Sequence, residues 1–298
     1  MPSFLPARRA LPGAVSVLSA AVVEGAVRPA TVLGAHGPAL YLDVAGRVLP
    51  VVTTDAVPLP TAVRLAVPGG RVDWAVAAGD VVAVGGGRVV LPGFDVVAAR
   101  TWRPSRVRRV PASAIPGAHV APLLHHASAP GDDETRWLGD GIRSVVATGV
   151  CPGGRRPARP ASRPSTGPTG LEQWVANLVG RGRGLTPSGD DALAGALLVA
   201  HAVGAAPPFA AAVRARLHAT TAVSAALLDA AADGFAAGDV VSLVDAMLAG
   251  DDAAVTAALP AVLALGHSSG RDLVTGVAAA VEALQAIHQP LPTTRSAA

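Results

Sequence analysis

The sequence predicts an α+β protein, in which a small antiparallel β barrel or sandwich precedes an all-α helical domain. Three observations lead there. From Thr31 to about Val97, short valine-rich runs alternate with turn residues, the pattern of strands joined by tight connections. Beyond Leu171 the chain turns alanine-rich, with glycines closing each stretch, the pattern of packed helices. Between the two, Pro152 to Gly170 is a Pro/Gly/Arg/Ser tract that offers little apolar surface to a core and reads as a linker or loop. At 298 residues the chain has room for about two domains. The expected division is 1–150, β-rich with an irregular tail; 151–170, the linker; and 171–298, the helical domain.

Taken in order, the apolar run 11–23 after Arg8-Arg9 imitates a secretory or twin-arginine signal. Pro12-Gly13 breaks it early, and Glu24-Gly25 stands where a small-residue cleavage site would fall. It is therefore read as an N-terminal helix of a cytoplasmic protein. Strands are expected at 39–44, 48–52, 62–67, 81–84 and 88–91, with turns at Ala45-Gly46, Pro68-Gly69-Gly70 and Gly85-Gly86-Gly87. The triple glycine is read as a hairpin turn and not as a phosphate loop. Residues 98–150 show no sustained period and are assigned as irregular, with one helix near Trp137. His125-His126 and Asp132-Asp133-Glu134 match no metal-ligand spacing, so they are read as loop and no metal site is assigned. Helices are expected near 171–179, 189–204, 208–219, 221–237, 239–249, 252–265 and 270–288, with Gly204, Gly238, Gly250 and Gly266 at C-caps. The apolar stretch 192–209 is crossed by His201 and stopped by Pro207-Pro208, which makes it a buried core helix and not a bilayer span.

Composition removes several chemistries. The 24 basic residues are all arginine, which excludes a Schiff-base lysine, a phosphate-loop lysine and a Ser-Lys pair. The single cysteine, Cys151, has no partner for an internal disulfide or a structural zinc site. Arginines cluster at 100, 103, 106, 108 and 109 and again at 155, 156, 159 and 163, but only 3% of residues are aromatic. Base stacking therefore has little to work with, and solvated loops or a partner surface explain the clusters better than nucleic acid.

The densest chemical signal is Gly180-Arg181-Gly182-Arg183-Gly184-Leu185-Thr186-Pro187-Ser188-Gly189-Asp190-Asp191. Alternating glycines permit close backbone approach. Ser188 three residues before Asp191 is the spacing of a capping box, and a helix start of this kind attracts anions. The phosphate-loop motif fails for want of lysine, and the dinucleotide fingerprint for want of a third glycine and a preceding strand. With Asp191 assigned to capping, Asp190 is left free for function. An echo follows 81 residues later: Ser269-Gly270-Arg271-Asp272-Leu273-Val274-Thr275-Gly276 repeats the Ser-Gly-x-Asp-x-aliphatic-x-Gly of 188–195. If the echo is structural, two helix starts converge on one pocket, and Asp190 and Arg271 either pair across it or divide an anion and a metal between them. His267 and Ser268 sit just ahead of the second start, which makes His267 a candidate acid, base or hydrogen-bond donor.

The stretch 184–191 with Leu193 and Gly195, together with Gly266-His267-Ser268-Ser269-Gly270 and Asp272, resembles the two signatures of the AllH-type family. Looser similarity extends through 32–102. The resemblance implies a subunit of oxamate carbamoyltransferase, which in purine (allantoin) catabolism passes a carbamoyl group from carbamoyl-oxamate to phosphate. It also implies an acyl-CoA-synthetase-like partner subunit, with carbamate kinase acting downstream. Arg183 and the arginine-rich tract 152–170 depart from the family pattern. The candidate catalytic residues are Asp190 and His267. The candidate substrate-binding residues are Gly182, Arg183, Gly184, Thr186, Ser188, Gly189, Asp191, Ser268, Ser269, Gly270, Arg271 and Asp272. Phosphate, carbamoyl phosphate and oxamate are small anions that suit helix starts and arginines. Two functions follow: a carbamoyltransferase subunit that binds such an anion, or a noncatalytic assembly or ligand-sensing subunit of the same complex. Neither reading assigns a cofactor, a membrane or a nucleic-acid partner.

Overall fold

The computed structural model describes residues 8–111, 115, 118, 133–150 and 170–288. The chain forms two compact units, the first running to Arg106 and including Phe235–Gly238, the second comprising Val107–Gly234 and Asp239–Ala298.

The first unit is a closed barrel. Its strands are β1 (Ala10–Ser16), β2 (Arg28–His36), β3 (Ala39–Val44), β4 (Arg47–Val52), β5 (Val63–Leu65), β6 (Val81–Gly85), β7 (Arg88–Val90) and β8 (Asp95–Trp102). They close in the order β1-β5-β4-β3-β2-β6-β7-β8. The barrel alternative thus holds, but the sheet is mixed. β1 runs parallel to β8, and β4 runs parallel to β5 because the stretch 53–62 separates them where a tight hairpin would have reversed the chain. The expected N-terminal helix is also corrected. Residues 10–16 form β1, and only Ala20–Glu24 are helical, as α1. Pro12 and Gly13 disfavour a helix, and at Gly13 a Cβ would meet side-chain methyls of Val63 and Val96 at 2.9 Å, so the strand needs glycine where it passes between β5 and β8. Alternating burial along β3 seats Leu40, Leu42 and Val44 in the core with Leu49, Val51 and Val84. Gly85-Gly86-Gly87, all at positive φ, form the β6–β7 hairpin turn as expected.

Helices build the second unit: α2 (Asp133–Val150), α3 (Gly170–Leu178), α4 (Ser188–Ala202), α5 (Ala206–Arg214), α6 (Ala222–Ala232), α7 (Gly238–Leu248, whose first residue counts with the barrel unit), α8 (Asp252–Leu263) and α9 (Ser269–His288). The helix expected near Trp137 is present as the 18-residue α2, while the start of the region expected to be irregular belongs to β8. Gly204, Gly250 and Gly266 take the left-handed conformation expected of C-caps, but α6 is closed by Gly234, while Gly238 opens α7. His125, His126, Asp132 and the tract 151–169 lie outside the described residues.

α4 is the centre of this unit. Its residues 195–202 are all buried, α9 runs along it, and α2 packs on α9. The apolar stretch is the core helix expected, and among the described residues no helix is long and apolar enough to cross a membrane. His201 is a core histidine with Nδ1 3.2 Å from the Ala232 carbonyl. Two of the clustered arginines serve contacts within their own unit. Arg106 stacks 5.0 Å over Phe235, and Arg108 pairs with Asp245 at 3.3 Å.

Candidate functional site

The loop between α3 and α4 is shaped by its glycines. Gly180 and Gly182 have φ of 73° and 121°, and a Cβ would fall 2.3 Å from the Ala219 carbonyl oxygen at the first and 2.6 Å from the Ser188 nitrogen at the second. Only glycine suits both. Gly189 lies over the end of α3, where a Cβ would stand 2.1 Å from the Leu178 oxygen, and its amide donates to the Arg181 carbonyl at 2.8 Å. Arg181 holds its guanidinium 5.2 Å over the Trp137 ring.

The expected capping box does not form. Pro187 is the N-cap, its carbonyl accepting from the amides of Asp190 at 2.9 Å and Asp191 at 3.1 Å, and no side chain caps the helix. Ser188 is the first helical residue, which moves Asp191 one position beyond the reach of a capping box. The two aspartates then divide as a helix requires, since neighbours project about 100° apart. Asp190 points to the side of α6. Its Oδ1 accepts the Gly180 amide at 2.8 Å, and its Oδ2 accepts the hydroxyls of Ser224 at 2.7 Å and Thr220. It is 1% exposed. Arg271 is not among these partners and lies exposed, so the expected Asp190–Arg271 pair is absent.

Asp191 points to α9. Thr186 Oγ1 and Ser269 Oγ lie 2.8 Å apart, which brings the two helix starts into contact as the echo anticipated. Burial pushes the Asp191 carboxyl up to about 7, the Ser269 and Thr186 hydroxyls beside it oppose that, and the charges of Asp272 and Asp190 add to it. Asp191 is 8% exposed and its Oδ2 has no hydrogen-bond partner.

The 81-residue echo holds in three dimensions. Asp272 donates its amide to the Ser268 carbonyl at 3.0 Å, as Asp191 does to Pro187. Gly270 lies over the end of α8 with its Cβ position 2.0 Å from the Val262 oxygen, as Gly189 lies over α3. Where the helices cross, a Cβ on Gly195 would meet the Leu273 oxygen at 2.3 Å and one on Gly276 the Ala192 oxygen at 1.9 Å. These contacts are reciprocal under one sequence offset, as in an arrangement related by a two-fold axis. Around the meeting point Thr186, Ser188 and Ser269 are half-buried and Asp272 is buried. Gly182, Arg183, Gly184, His267, Ser268 and Arg271 are exposed. Sequence reasoning missed Thr220, Ser224 and Trp137 as members of this region. A signal for Ser224 existed: Thr221 caps α6 by accepting the Ser224 amide at 3.1 Å, a Thr-x-x-Ser spacing that marks the helix start next to Asp190.

A closed barrel and a helical unit with paired, glycine-crossed helix starts define the architecture. Residues 178–281, about a third of the chain, match the family described as oxamate carbamoyltransferase subunit AllH. Both echoed motifs fall inside the matched segment, and the resemblance read from them is borne out there. No solved structure matches the chain.

Proposed function

We propose that this protein is a subunit of a carbamoyltransferase of the oxamate type and that its helical unit takes a small carboxylate or phosphate where α4 and α9 begin. The single observation that supports this most is the Thr186–Ser269 contact at 2.8 Å. It brings together two helix starts from inside the segment that matches the carbamoyltransferase family. The Thr186 and Ser269 hydroxyls are the donors at that point, Ser188 is the half-buried first residue of α4, and the exposed Arg183 and Arg271 lie in the segments that carry the two helix starts. Helix starts favour negative charge. A carboxyl as easily protonated as Asp191 adds a donor where an ionised one would repel an anion. Asp190 is a positioning residue in this reading, holding Gly180 and so the loop that carries Thr186. His267, exposed in the turn before α9, is a candidate proton carrier at the rim. The implied partner is an acyl-CoA-synthetase-like subunit, and the substrates are those of purine catabolism in the cytoplasm.

Calorimetric titration of the full chain with phosphate, carbamoyl phosphate and oxamate, alone and with its partner subunit, tests the reading. Binding that weakens about tenfold or more in Thr186→Val, roughly one charge-assisted hydrogen bond, is the expected result. Absence of binding to both the chain and the assembled complex would overturn it.

A further inference from the structure

The barrel unit gathers its exposed apolar side chains in one place. Among the described residues four large hydrophobic side chains are exposed, Val17, Val27, Val81 and Leu185, and the two most exposed, Val27 and Val81 at 67% each, line a single groove of about 530 Å³. Scattered exposed valines are ordinary, whereas apolar side chains collected on one surface mark contact sites. The groove crosses β2, β6 and β7. Strand alternation sends Ala30, Val82, Val84 and Val89 into the core and leaves Pro29, Val81, Ala83 and Val90 on the outer face. The register sets Pro29 beside Ala83 and Ala83 beside Val90, so apolar side chains form a row where a solvated outer face would carry polar ones. Val27 is held firmly at its edge. A Cβ on Gly85 would stand 2.5 Å from the Val27 Cα, so the two backbones meet at a distance only glycine permits, and the groove needs little ordering on contact.

The charge of this groove is one-sided. Arg8 and Arg28 line it and no carboxylate does. Asp95 continues the row onto β8, but it is buried and paired with both Arg8 at 3.2 Å and Arg88 at 3.3 Å. Two guanidinium groups against one carboxylate leave that end positive. At the β2 end, Arg28 makes no ion pair among the described residues, and its Nε donates to the Ala26 carbonyl at 3.4 Å. A two-fold contact with a second copy centred here would press the positive patch against its twin. A membrane surface calls for apolar side chains that protrude, and these line a concavity. Nucleic-acid bases find no aromatic ring among the lining residues on which to stack. An apolar protein segment that carries carboxylates meets the valines and the arginines together.

We propose that this groove is the docking surface for the partner subunit of the complex, which enters it with an apolar segment flanked by carboxylates. The matched family is described as a subunit, which implies such a partner, and the choice of that partner rests on the carbamoyltransferase reading above. The groove lies wholly within the barrel unit and outside residues 178–281, so assembly and anion binding can be impaired separately.

The test uses the full chain and the purified partner subunit, with assembly read by calorimetry at low and high salt and carbamoyl transfer read on the same samples. Val27→Asp and Val81→Asp should each weaken assembly by at least about tenfold, the effect of losing a well-packed contact residue. Val17→Asp, exposed but outside the groove, should assemble as wild type does. Arg28→Glu should weaken assembly at low salt, and the gap should narrow at high salt as the charges are screened. Melting temperatures check each fold, and where an aspartate variant is destabilised the milder Val27→Ser and Val81→Ser decide. Groove variants that melt like wild type and assemble within about threefold of it overturn the docking surface. So does a wild-type chain that fails to assemble, or an equal loss in Val17→Asp. Self-association of the wild type, or its binding to anionic phospholipid vesicles, would also overturn it if the groove variants abolish that behaviour. Unchanged assembly with unchanged transfer removes the docking surface and leaves the carbamoyltransferase reading standing. Groove-dependent assembly in a complex that transfers no carbamoyl group overturns that reading and leaves the docking surface standing.

Discussion

The starts of α4 and α9 share a backbone plan and differ in what their side chains hold. Each places a glycine over the end of the preceding helix, an aspartate in the first turn and a second glycine at the crossing. At the first start, the residue after the first of these glycines is Asp190, buried and bonded to Gly180, Thr220 and Ser224. At the second, the equivalent residue is Arg271, exposed to solvent. Equal backbone geometry thus carries unequal loads. The α4 start anchors a glycine-rich loop to α6, whereas α9 follows α8 after a short turn and needs no such anchor.

That comparison predicts the largest effect at its most unequal position. Asp190→Ala leaves three donors without their acceptor and should cost about 3 to 5 kcal/mol, while Arg271→Ala should stay within about 0.5 kcal/mol. Urea denaturation of both variants measures the gap, and similar midpoints would erase the distinction between the two starts. The crossing glycines should instead behave alike. A Cβ at either one would press on a backbone oxygen that cannot swing away, so Gly195→Ala and Gly276→Ala should each cost about 2 to 3 kcal/mol. One tolerant and one intolerant variant would show that the crossing is not reciprocal.

The smallest effect falls on Asp191, and its sign depends on pH. An aspartate is ordinarily half-protonated near 3.8, and burial moves Asp191 up to about 7. Between those values the folded protein binds more protons than the unfolded chain, so stability falls as pH rises through that window. Asp191→Asn removes the ionisable group and should raise stability by about 1 to 2 kcal/mol at pH 8, with the gain fading toward pH 4. Thermal melts at the two pH values measure it. A variant less stable than wild type at pH 8 would mean that the Asp191 carboxylate is held by contacts stronger than the cost of its burial.

Much of the architecture could be read from local pattern. Turn glycines and valine runs located the strands from β3 to β7, and alanine-rich periods located the helices from α3 to α9. β1 was misread because an apolar run of its length suits either a strand or a helix, and the choice rested on partners distant in the chain. β5 is its antiparallel neighbour and β8 its parallel one. The helix near Trp137 was expected, but its 18-residue extent as α2 was not, for lack of clear capping signals. Within the site, the recurrence of Ser-Gly-x-Asp and of the crossing glycines was visible as text. The assignment of roles to adjacent aspartates was not. It turned on whether the helix began at Ser188 or one residue later, and local signals leave that margin open.

By itself, then, the sequence determined the order of a β-rich part followed by helices, the absence of lysine chemistry, the resemblance of 178–281 to the AllH family and the internal echo. These depend on residue identity and short-range spacing, which survive in a linear string. The tertiary structure decided that β1 and β8 close the barrel, that the two echoed starts touch through Thr186 and Ser269, and that Asp190 is bonded while Asp191 is left partly unsatisfied beside Asp272. A carboxyl's role is set by what surrounds it in space, and the surroundings of these two come from α6 and α9, elements roughly 30 and 80 residues further along the chain.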